Sequence, residues 1–328
     1  MSEVAVVILN FNGRDFLEKF LPSILEHSGN AEIVVADNAS TDESVKLLED
    51  KFPTVRIIEF SENHGFAGGY NEALKQIDAE FFAIINSDVA VTEGWLSSLV
   101  DFLKANKAYA AVQPKIKDWN NQEWFEYAGA CGGFVDSLGY PYCRGRIFET
   151  IEEDHGQYDQ PIDVDWTTGA CMVIRADSFH NAGGFDRDFF AHMEEIDLCW
   201  RLRSARWMLA CQPKSVVYHV GGGTLHKSSP RKTYLNFRNG LSLLVKNLPL
   251  SQLVWKLPAR LVLDGLAAIK FAVDTSPSHL VAILKAHFHF YLRFLRNYRK
   301  RSKTSTTTRK GILISYFIQG KKRFSDLS

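Results

Sequence analysis

The chain has 328 residues, of which 46% are hydrophobic and 23% are charged, and its formal net charge is zero. These values are typical of a folded globular protein and exclude a disordered or fibrous chain. No uncharged apolar stretch reaches the roughly 18–20 residues that a membrane-spanning helix needs. The longest, 261–273, is interrupted by Asp264 and Lys270. We therefore expect no spanning helix.

The zero net charge conceals a strong asymmetry along the chain. Residues 1–230 contain 19 Lys and Arg against 35 Asp and Glu, whereas residues 231–328 contain 19 against 3. An acidic body with a basic tail indicates an anionic partner for the tail.

The cysteines and the first residues indicate the compartment. The five cysteines include no CxxC pair, which argues against a disulfide framework or a zinc site and favours a reducing compartment. The start of the chain lacks a basic segment followed by a long apolar core, so we expect no secretory signal. We predict a cytoplasmic protein.

Apolar runs alternate with helical patterns through the first hundred residues. Unbroken apolar runs predict strands that are buried on both faces of a sheet. Strands are predicted at 4–9, 33–36, 55–60 and 81–85, and helices at 15–27, 43–50, 70–77 and 95–104. This alternation predicts an α/β fold with a mainly parallel sheet and helices on both faces.

Polar side chains follow each predicted strand. They are Asn10 and Asn12, Asp37 and Asn38, Asn63, and Asn86, Ser87 and Asp88. Because the carboxyl ends of parallel strands meet at one edge, these clusters predict a nucleotide-binding crevice. Asp88 comes directly after the buried run 81–85 and is our candidate for holding a divalent metal against a diphosphate. Each cluster alone is equally typical of a turn or a helix cap.

The glycines after the third strand do not form a dinucleotide-binding motif. Gly65, Gly68 and Gly69 lack the GxGxxG spacing, which argues against a dehydrogenase. Glycines that open a helix let the backbone approach a phosphate or a sugar closely. The alternative is a close contact between helix and sheet.

Residues 110–160 are rich in aromatic residues and glycine, and we expect strands and loops added to the sheet. The aromatic rings serve either as sugar platforms or as core. The next strand, predicted at 164–174, is interrupted by small residues that allow a substrate to approach. We assign Trp166, Gly169 and Ala170 to the acceptor side.

Three acids, Glu194, Glu195 and Asp197, begin a predicted helix whose apolar residues have helical spacing. One interpretation is favourable electrostatics at a helix start. The other is a general base, because neighbouring acids raise each other's proton affinity.

His219 lies within the apolar run 216–220 and precedes three glycines and Thr224. A histidine in such a run is often a core residue. The glycine-rich loop after it favours a second interpretation, a loop that closes on phosphates.

Eight segments in this order resemble glycosyltransferase family 2, the inverting enzymes of GT-A fold, and its rhamnosyltransferase-like members. They are VVILNFNG at 6–13, VVADNASTDES at 34–44, NHGFAGGYN at 63–71, INSDV at 85–89, TGACMVIR at 168–175, GGFDRDFF at 183–190, EEIDLCWRLR at 194–203 and HVGGGT at 219–224. The similarity covers roughly residues 4–247.

The resemblance implies a role for each matching residue. Asp37 would bind the nucleotide base or ribose, and the donor would also contact Asn10, Asn12, Asn63, Gly68, Asn86 and Ser87. Asp88 would ligate Mg²⁺ or Mn²⁺, with His219 helping to hold the metal or the diphosphate. Glu195 would accept the proton of the acceptor hydroxyl, and Glu194 is the alternative base.

Two departures from the family pattern concern the metal and the base. The triplet at 86–88 begins with Asn86 rather than Asp, and Glu195 stands where many members have Asp. These departures leave open the alternative that the chain is a non-catalytic protein that binds a nucleotide sugar. Transfer to a polyprenyl phosphate is a further alternative to a glycan or lipid-linked acceptor.

We predict a GT-A domain at 1–247, with a nucleotide-binding half at 1–110 and an acceptor half at 111–247. Residues 248–328 are predicted to form a basic amphipathic helical extension. Such helices lie at anionic membrane surfaces, here the inner face of the cytoplasmic membrane, or form a lid or a dimer surface. No nucleic-acid-binding module accompanies the basic residues, and the sequence does not predict the oligomeric state.

Overall fold

The computed structural model describes residues 2–221, 229–301 and 311–327. The strands are β1 (Ser2–Asn10), β2 (Glu32–Asp37), β3 (Arg56–Glu59), β4 (Ala79–Asn86), β5 (Val89–Val91), β6 (Tyr109–Asp118), β7 (Gly133–Val135), β8 (Pro141–Cys143), β9 (Arg146–Ile147), β10 (Thr150–Ile151), β11 (Ile162–Asp163), β12 (Cys171–Arg175) and β13 (Met208–His219). The α-helices are α1 (Arg14–His27), α2 (Ser44–Lys51), α3 (Gly65–Leu74), α4 (Trp95–Ala105), α5 (Ala176–Asn181), α6 (Glu194–Ser204), α7 (Pro230–Asn247), α8 (Leu250–Asp274) and α9 (Pro277–Arg299).

A nine-stranded sheet forms the centre of the molecule, in the order β11-β13-β6-β12-β4-β1-β2-β3, with β5 paired to β13. The strands β3, β2, β1 and β4 are parallel, whereas β12 runs antiparallel between β4 and β6. Alternate residues of β1 enter separate apolar cores: Val6 and Ile8 on one face, Ala5 and Val7 on the other. The predicted strands at 4–9, 33–36 and 81–85 therefore lie side by side with both faces buried.

Two predicted boundaries differ from the structure. The helix expected at 70–77 begins at Gly65, so Gly68 and Gly69 lie inside α3. A Cβ on Gly69 would lie 2.7 Å from Leu9, which indicates that this glycine serves close packing of α3 on β1. The strand expected at 164–174 is confined to β12, because residues 167–170 form the connection that precedes it.

The expectation that residues 110–160 extend the central sheet is correct for β6 and wrong for β7–β10. These four short strands form a separate antiparallel sheet. Glycines with positive φ, among them Gly132, Gly139 and Gly145, reverse the chain every few residues, so these strands pair with one another.

Three long helices, α7, α8 and α9, follow the sheet. Thr233 bonds His279 and Asn297 bonds Ser242, so α7 and α9 run in the same direction while α8 returns the chain. Residues 311–327 then pack back on the small sheet, where Phe324 lies 5.0 Å from Phe134 between ring centroids. The domain boundary predicted at residue 247 coincides with the end of α7 and stays a prediction.

Candidate functional site

The ends of β4 and β13 bring three predicted site residues together. Asp88 Oδ1 lies 3.0 Å from His219 Nε2, and Asn86 Nδ2 lies 3.4 Å from the same nitrogen. Val89 pairs with His219 in the sheet, which aligns the two segments. Ser87 lies beside Gly13, where a Cβ would be 3.4 Å from its hydroxyl. Two polar clusters far apart in the chain therefore form one buried site.

Asp88 and His219 form an ion pair. Burial lowers the pKa of His219, but the carboxylates of Glu126 and Asp88 outweigh it and raise that pKa to about 10. Burial raises the pKa of Asp88, yet the charge and hydrogen bond of His219 outweigh it and hold the pKa below its ordinary value. Both side chains are therefore charged at neutral pH.

Glu126 is a site residue that the sequence analysis missed. Its Oε2 lies 3.3 Å from His219 Nδ1, on the side of the ring opposite Asp88, and its side chain is buried. A Cβ on Gly221 would lie 2.6 Å from Glu126 Oε1, so glycine is needed there. The only sequence signal was an acid within an aromatic run. The predicted phosphate loop at Gly222, Gly223 and Thr224 lies outside the described residues.

The side chains at this edge fit an open cation site rather than a closed one. In the part of the chain that the structure describes, no group of three or more His, Cys, Asp and Glu residues can hold a metal. Asp88 Oδ1 and His219 Nε2, once the imidazole loses its proton, are two adjacent donors. Mg²⁺ commonly uses one or two carboxylates and takes its other ligands from phosphates and water. The residues therefore fit a metal that a diphosphate completes.

The loops after β1 and β2 interlock at the same edge. Asn10 Nδ2 donates to Asp37 Oδ2 at 2.9 Å, and the backbone N–H of Ser40 donates to Asp37 Oδ1 at 2.8 Å. Asn12 Oδ1 accepts from the N–H of Thr41 at 2.7 Å. Asp37 and Asn12 thus hold the loops in shape with the atoms that were predicted to bind the nucleotide. Within the described parts of the chain, Asn10 Oδ1 is buried and has no hydrogen-bond partner.

Asn63 and Gly68 shape the neighbouring loop. Asn63 Oδ1 accepts from Asn38 Nδ2 at 3.0 Å and from the N–H of Gly65 at 2.8 Å. A Cβ on Gly68 would lie 2.9 Å from the His64 Cβ. Asn38 was predicted to lie in a polar cluster of the crevice but was given no individual role; it cross-links the loops after β2 and β3.

Glu194 and Glu195 occupy the first turn of α6 with raised pKa values. Burial raises the pKa of Glu195 to about 7, against backbone hydrogen bonds that lower it. Burial, followed by the charge of Glu195, raises the pKa of Glu194 well above its ordinary value. One carboxylate oxygen of each is buried and has no hydrogen-bond partner among the described residues. Glu195 therefore titrates near neutral pH, as a general base requires.

Asp197 does not share this environment, and the expectation that three acids act together is wrong for it. It accepts from Lys246 Nζ at 2.8 Å, Arg201 Nε at 2.9 Å and Asn247 Nδ2 at 2.9 Å. These partners outweigh its burial and hold its pKa below the ordinary value. Asp197 therefore joins α6 to α7.

Residues 169 and 170 connect the site of Asp88 and His219 with the site of Glu194 and Glu195. A Cβ on Gly169 would lie 3.9 Å from the Glu195 Cβ, and the carbonyl of Ala170 accepts from the N–H of Asn86 at 3.0 Å. Trp166, in contrast, is buried and donates its indole N–H to the Phe134 carbonyl at 3.0 Å. It packs against the small sheet, so its assignment to the acceptor surface is corrected to core.

A strained loop presents α6, and α7 holds it. Phe190, His192 and Met193 all have positive φ, which costs of order 1–3 kcal/mol for each such residue. Asn239 Nδ2 donates to the carbonyls of Phe189, Ala191 and His192 at 3.0, 2.9 and 2.7 Å. Asn239 was missed because nothing near it in the sequence marks a contact with residues about fifty positions earlier.

Comparison with known proteins identifies the family. The model of glycosyl transferase family 2 matches residues 5–181. An N-acetylglucosaminyl-diphospho-decaprenol L-rhamnosyltransferase of Mycobacterium tuberculosis is 25% identical over 229 residues, which are 65% of this chain and 75% of that protein. The rhamnosyltransferase WbbL of Escherichia coli is 21% identical over 207 residues, which are 62% and 77% of the two chains.

Solved structures resemble the fold. GalNAc-T7, with UDP, GalNAc and Mn²⁺, has a TM-score of 0.59 at 16% identity over 75% of this chain, which spans about half of that protein (48%). The mannosyltransferase PcManGT of Pyrobaculum calidifontis, with GDP-Man and Mn²⁺, has a TM-score of 0.55 at 15% identity over 91% and 83% of the two chains. The predicted GT-A fold is confirmed. With a family model that matches more than half of it, the chain belongs to glycosyl transferase family 2, and the predicted glycosyltransferase is confirmed.

Proposed function

We propose that the protein is an inverting, metal-dependent glycosyltransferase that moves a sugar from a nucleotide-diphosphate donor to a hydroxyl of a glycan or lipid-linked acceptor. One observation carries the proposal. A charged Asp88–His219 pair and a Glu195 with a pKa of about 7 are linked through residues 169–170. The Asp88–His219 pair fits a diphosphate with its cation, and Glu195 fits the acceptance of a proton from a hydroxyl group.

The residues divide the reaction between them. Asp88 and His219 would hold Mg²⁺ or Mn²⁺, whose charge stabilises the departing diphosphate. Glu195 accepts the proton of the acceptor hydroxyl. At the same time the hydroxyl oxygen forms a bond to the anomeric carbon of the donor sugar, and the bond from that carbon to the diphosphate oxygen breaks. Attack from the face opposite the leaving group inverts the configuration. Glu194 is the alternative base, and its pKa is also raised, by burial and by the charge of Glu195.

The names of the relatives support a finer proposal. Two of them are called rhamnosyltransferases, and one name specifies a diphospho-decaprenol acceptor. We therefore propose rhamnose as the sugar and a lipid-linked glycan as the acceptor.

The outer faces of α8 and α9 support peripheral contact with the cytoplasmic membrane. Ten of their apolar side chains are each at least 60% exposed: Val254, Val262, Leu266, Ile269, Val273, Val281, Leu284, Phe288, Leu292 and Leu295. Apolar stripes beside basic residues bind anionic membrane interfaces. Within the described ranges no helix has the length and apolarity to cross a membrane.

Full-length protein should sediment with phosphatidylglycerol vesicles at low salt. Its recovery in the supernatant would exclude this contact with the membrane.

A donor screen tests the enzymatic proposal. Nucleotide sugars are added with Mn²⁺, thermal stabilisation identifies the donor, and transfer to a lipid-linked acceptor is then measured. We expect Asp88→Ala to lose transfer and the metal-dependent part of donor binding. Transfer by Asp88→Ala at the parent rate would remove the metal role, and stabilisation by a donor that is never consumed would favour a non-catalytic binding protein.

A further inference from the structure

A second cavity lies between α7 and α9, against the loop at 187–190. Its volume is about 680 Å³. Six cationic side chains line it, against the single carboxylate of Asp188: Arg187, Arg231, Arg238, Lys285, Arg293 and Arg296. We call these lining residues the cationic pocket.

Part of this positive charge has no carboxylate partner. Arg296 pairs with Asp188 at 2.9 Å, and Arg187 pairs with Glu72. Over the ranges that the structure describes, Arg231 and Lys285 have no ion-pair partner, and Arg293 donates to a backbone carbonyl. Burial lowers the pKa of Arg238, and the charge of Arg293 lowers it further. The pocket therefore carries an excess of positive charge.

The donors of the pocket suit phosphate oxygens. Guanidinium groups bind phosphate with two parallel hydrogen bonds, and a lysine adds a point charge. Tyr234 contributes a hydroxyl at one side, held 2.7 Å from His289 Nδ1.

One wall of the pocket is apolar and continues to the surface. Leu235, Val281 and Ala282 line it. Val281 is 60% exposed and lies on the outer face of α9, one turn before Leu284. A phosphate that carries a hydrocarbon chain would place its charge on the basic side chains and its chain on this wall.

The pocket shares its wall with the loop that presents the base. Phe190 lines the pocket, and its carbonyl accepts from the N–H of Phe66 at 2.9 Å. Arg238 lines the pocket and donates to the carbonyl of Phe189 at 2.8 Å. Glu195 follows five residues after Phe190. An anion bound here would lie beside the same loop, away from the Asp88–His219 pair.

We propose that the cationic pocket binds the phosphate or diphosphate group of a lipid-linked acceptor, separately from the diphosphate of the donor. The assignment to the acceptor rests on the proposed glycosyl transfer. The pocket would place the acceptor so that its sugar reaches Glu195 while its chain leaves along α9.

The test uses a double variant with a matched control. Arg231→Gln with Lys285→Gln removes two exposed charges that have no ion-pair partner among the described residues. Lys107→Gln with Arg299→Gln removes two exposed charges outside the pocket that likewise have no ion-pair partner there. Binding of inorganic pyrophosphate and of farnesyl diphosphate to the full-length chain is measured by calorimetry without divalent metal. We expect the pocket variant to bind both at least tenfold more weakly, and the control variant to bind like the parent.

Two further measurements separate the sources of the phosphate. In a transfer assay the pocket variant should raise KM for the lipid-linked acceptor about tenfold, with kcat and donor KM within twofold of the parent. Equal loss of pyrophosphate binding in both variants would show general charge attraction and overturn the proposal. Loss of binding to phosphatidylglycerol vesicles alone, with pyrophosphate binding intact, would instead assign the pocket to lipid headgroups. Failure of sugar transfer with intact pyrophosphate binding would count against the proposed function only.

Discussion

Two acidic sites at one edge of the molecule hold their protons very differently. Asp88 is buried against a protonated His219, and its pKa lies below the ordinary value. The pKa of Glu194 is raised by burial and by the charge of Glu195, and the pKa of Glu195 is raised by burial against backbone hydrogen bonds that lower it. Burial raises the pKa of all three carboxyl groups, and the opposing charge of His219 reverses that effect at Asp88. Asp88 therefore stays negatively charged, whereas Glu194 and Glu195 bind a proton more readily than ordinary carboxylates.

Asp197 shows that the neighbouring charge, rather than position on the helix, causes the difference. It lies on α6 only two residues after Glu195 and is fully buried. Lys246 and Arg201 pair with it, and its pKa is lowered. A helix start alone therefore does not produce the raised pKa of the glutamates.

The largest expected effect comes from removing the base. Glu195→Gln keeps the shape of the side chain but cannot accept a proton, so kcat should fall about a thousandfold, within the range for general base catalysis. Nucleotide affinity, measured by calorimetry, should stay the same. Glu195→Asp is the control, because it restores a carboxylate one methylene shorter and should recover part of the rate. Full activity of Glu195→Gln would place the base elsewhere.

A smaller effect is expected at the charged site. Glu126→Gln removes one of the two carboxylates that raise the pKa of His219, so that pKa should fall from about 10 in an NMR titration. Because outer partners orient a metal-binding histidine, Mn²⁺ affinity in the presence of nucleotide should change about tenfold. An unchanged His219 titration would show that Glu126 does not act on the ring.

The pH profile separates the two sites within one protein. Glu195 must be deprotonated to act, so kcat/KM should fall about tenfold per pH unit below an apparent pKa of about 7. The residual activity of Glu195→Gln should lack this limb. A limb that persists in that variant would come from another group.

The smallest effect concerns stability. The pKa of Glu194 is higher in the folded than in the unfolded chain, so its contribution is fully present at low pH and is lost as pH rises through the folded value. The stability of Glu194→Gln relative to the parent should therefore be greater at pH 8 than at pH 5, in denaturant unfolding. Asp197→Asn should destabilise at pH 8, because it breaks a buried pair. An equal difference in stability between Glu194→Gln and the parent at both pH values would contradict the raised pKa.

Local patterns predicted the main features of the fold. The unbroken apolar runs at 4–9, 33–36 and 81–85 became adjacent strands, since a chain buried on both faces carries its own signature of apolar residues. Parallel strands share one edge, so Asn10, Asp37 and Asp88 could be expected together. Trp166 was misassigned because an aromatic residue looks the same in sequence whether it faces a core or a sugar.

The sequence by itself determined the fold, the family and the edge that the strand ends share, because hydrophobic periodicity and short motifs are local properties. Only the tertiary structure decided which charges meet. It placed Glu126 and Asp88 on the two sides of His219, gave Asp197 to Lys246, and gathered the cationic pocket from two helices and a loop. These pairings decide the protonation of each group, since an electrostatic interaction depends on distance in space and not on separation along the chain.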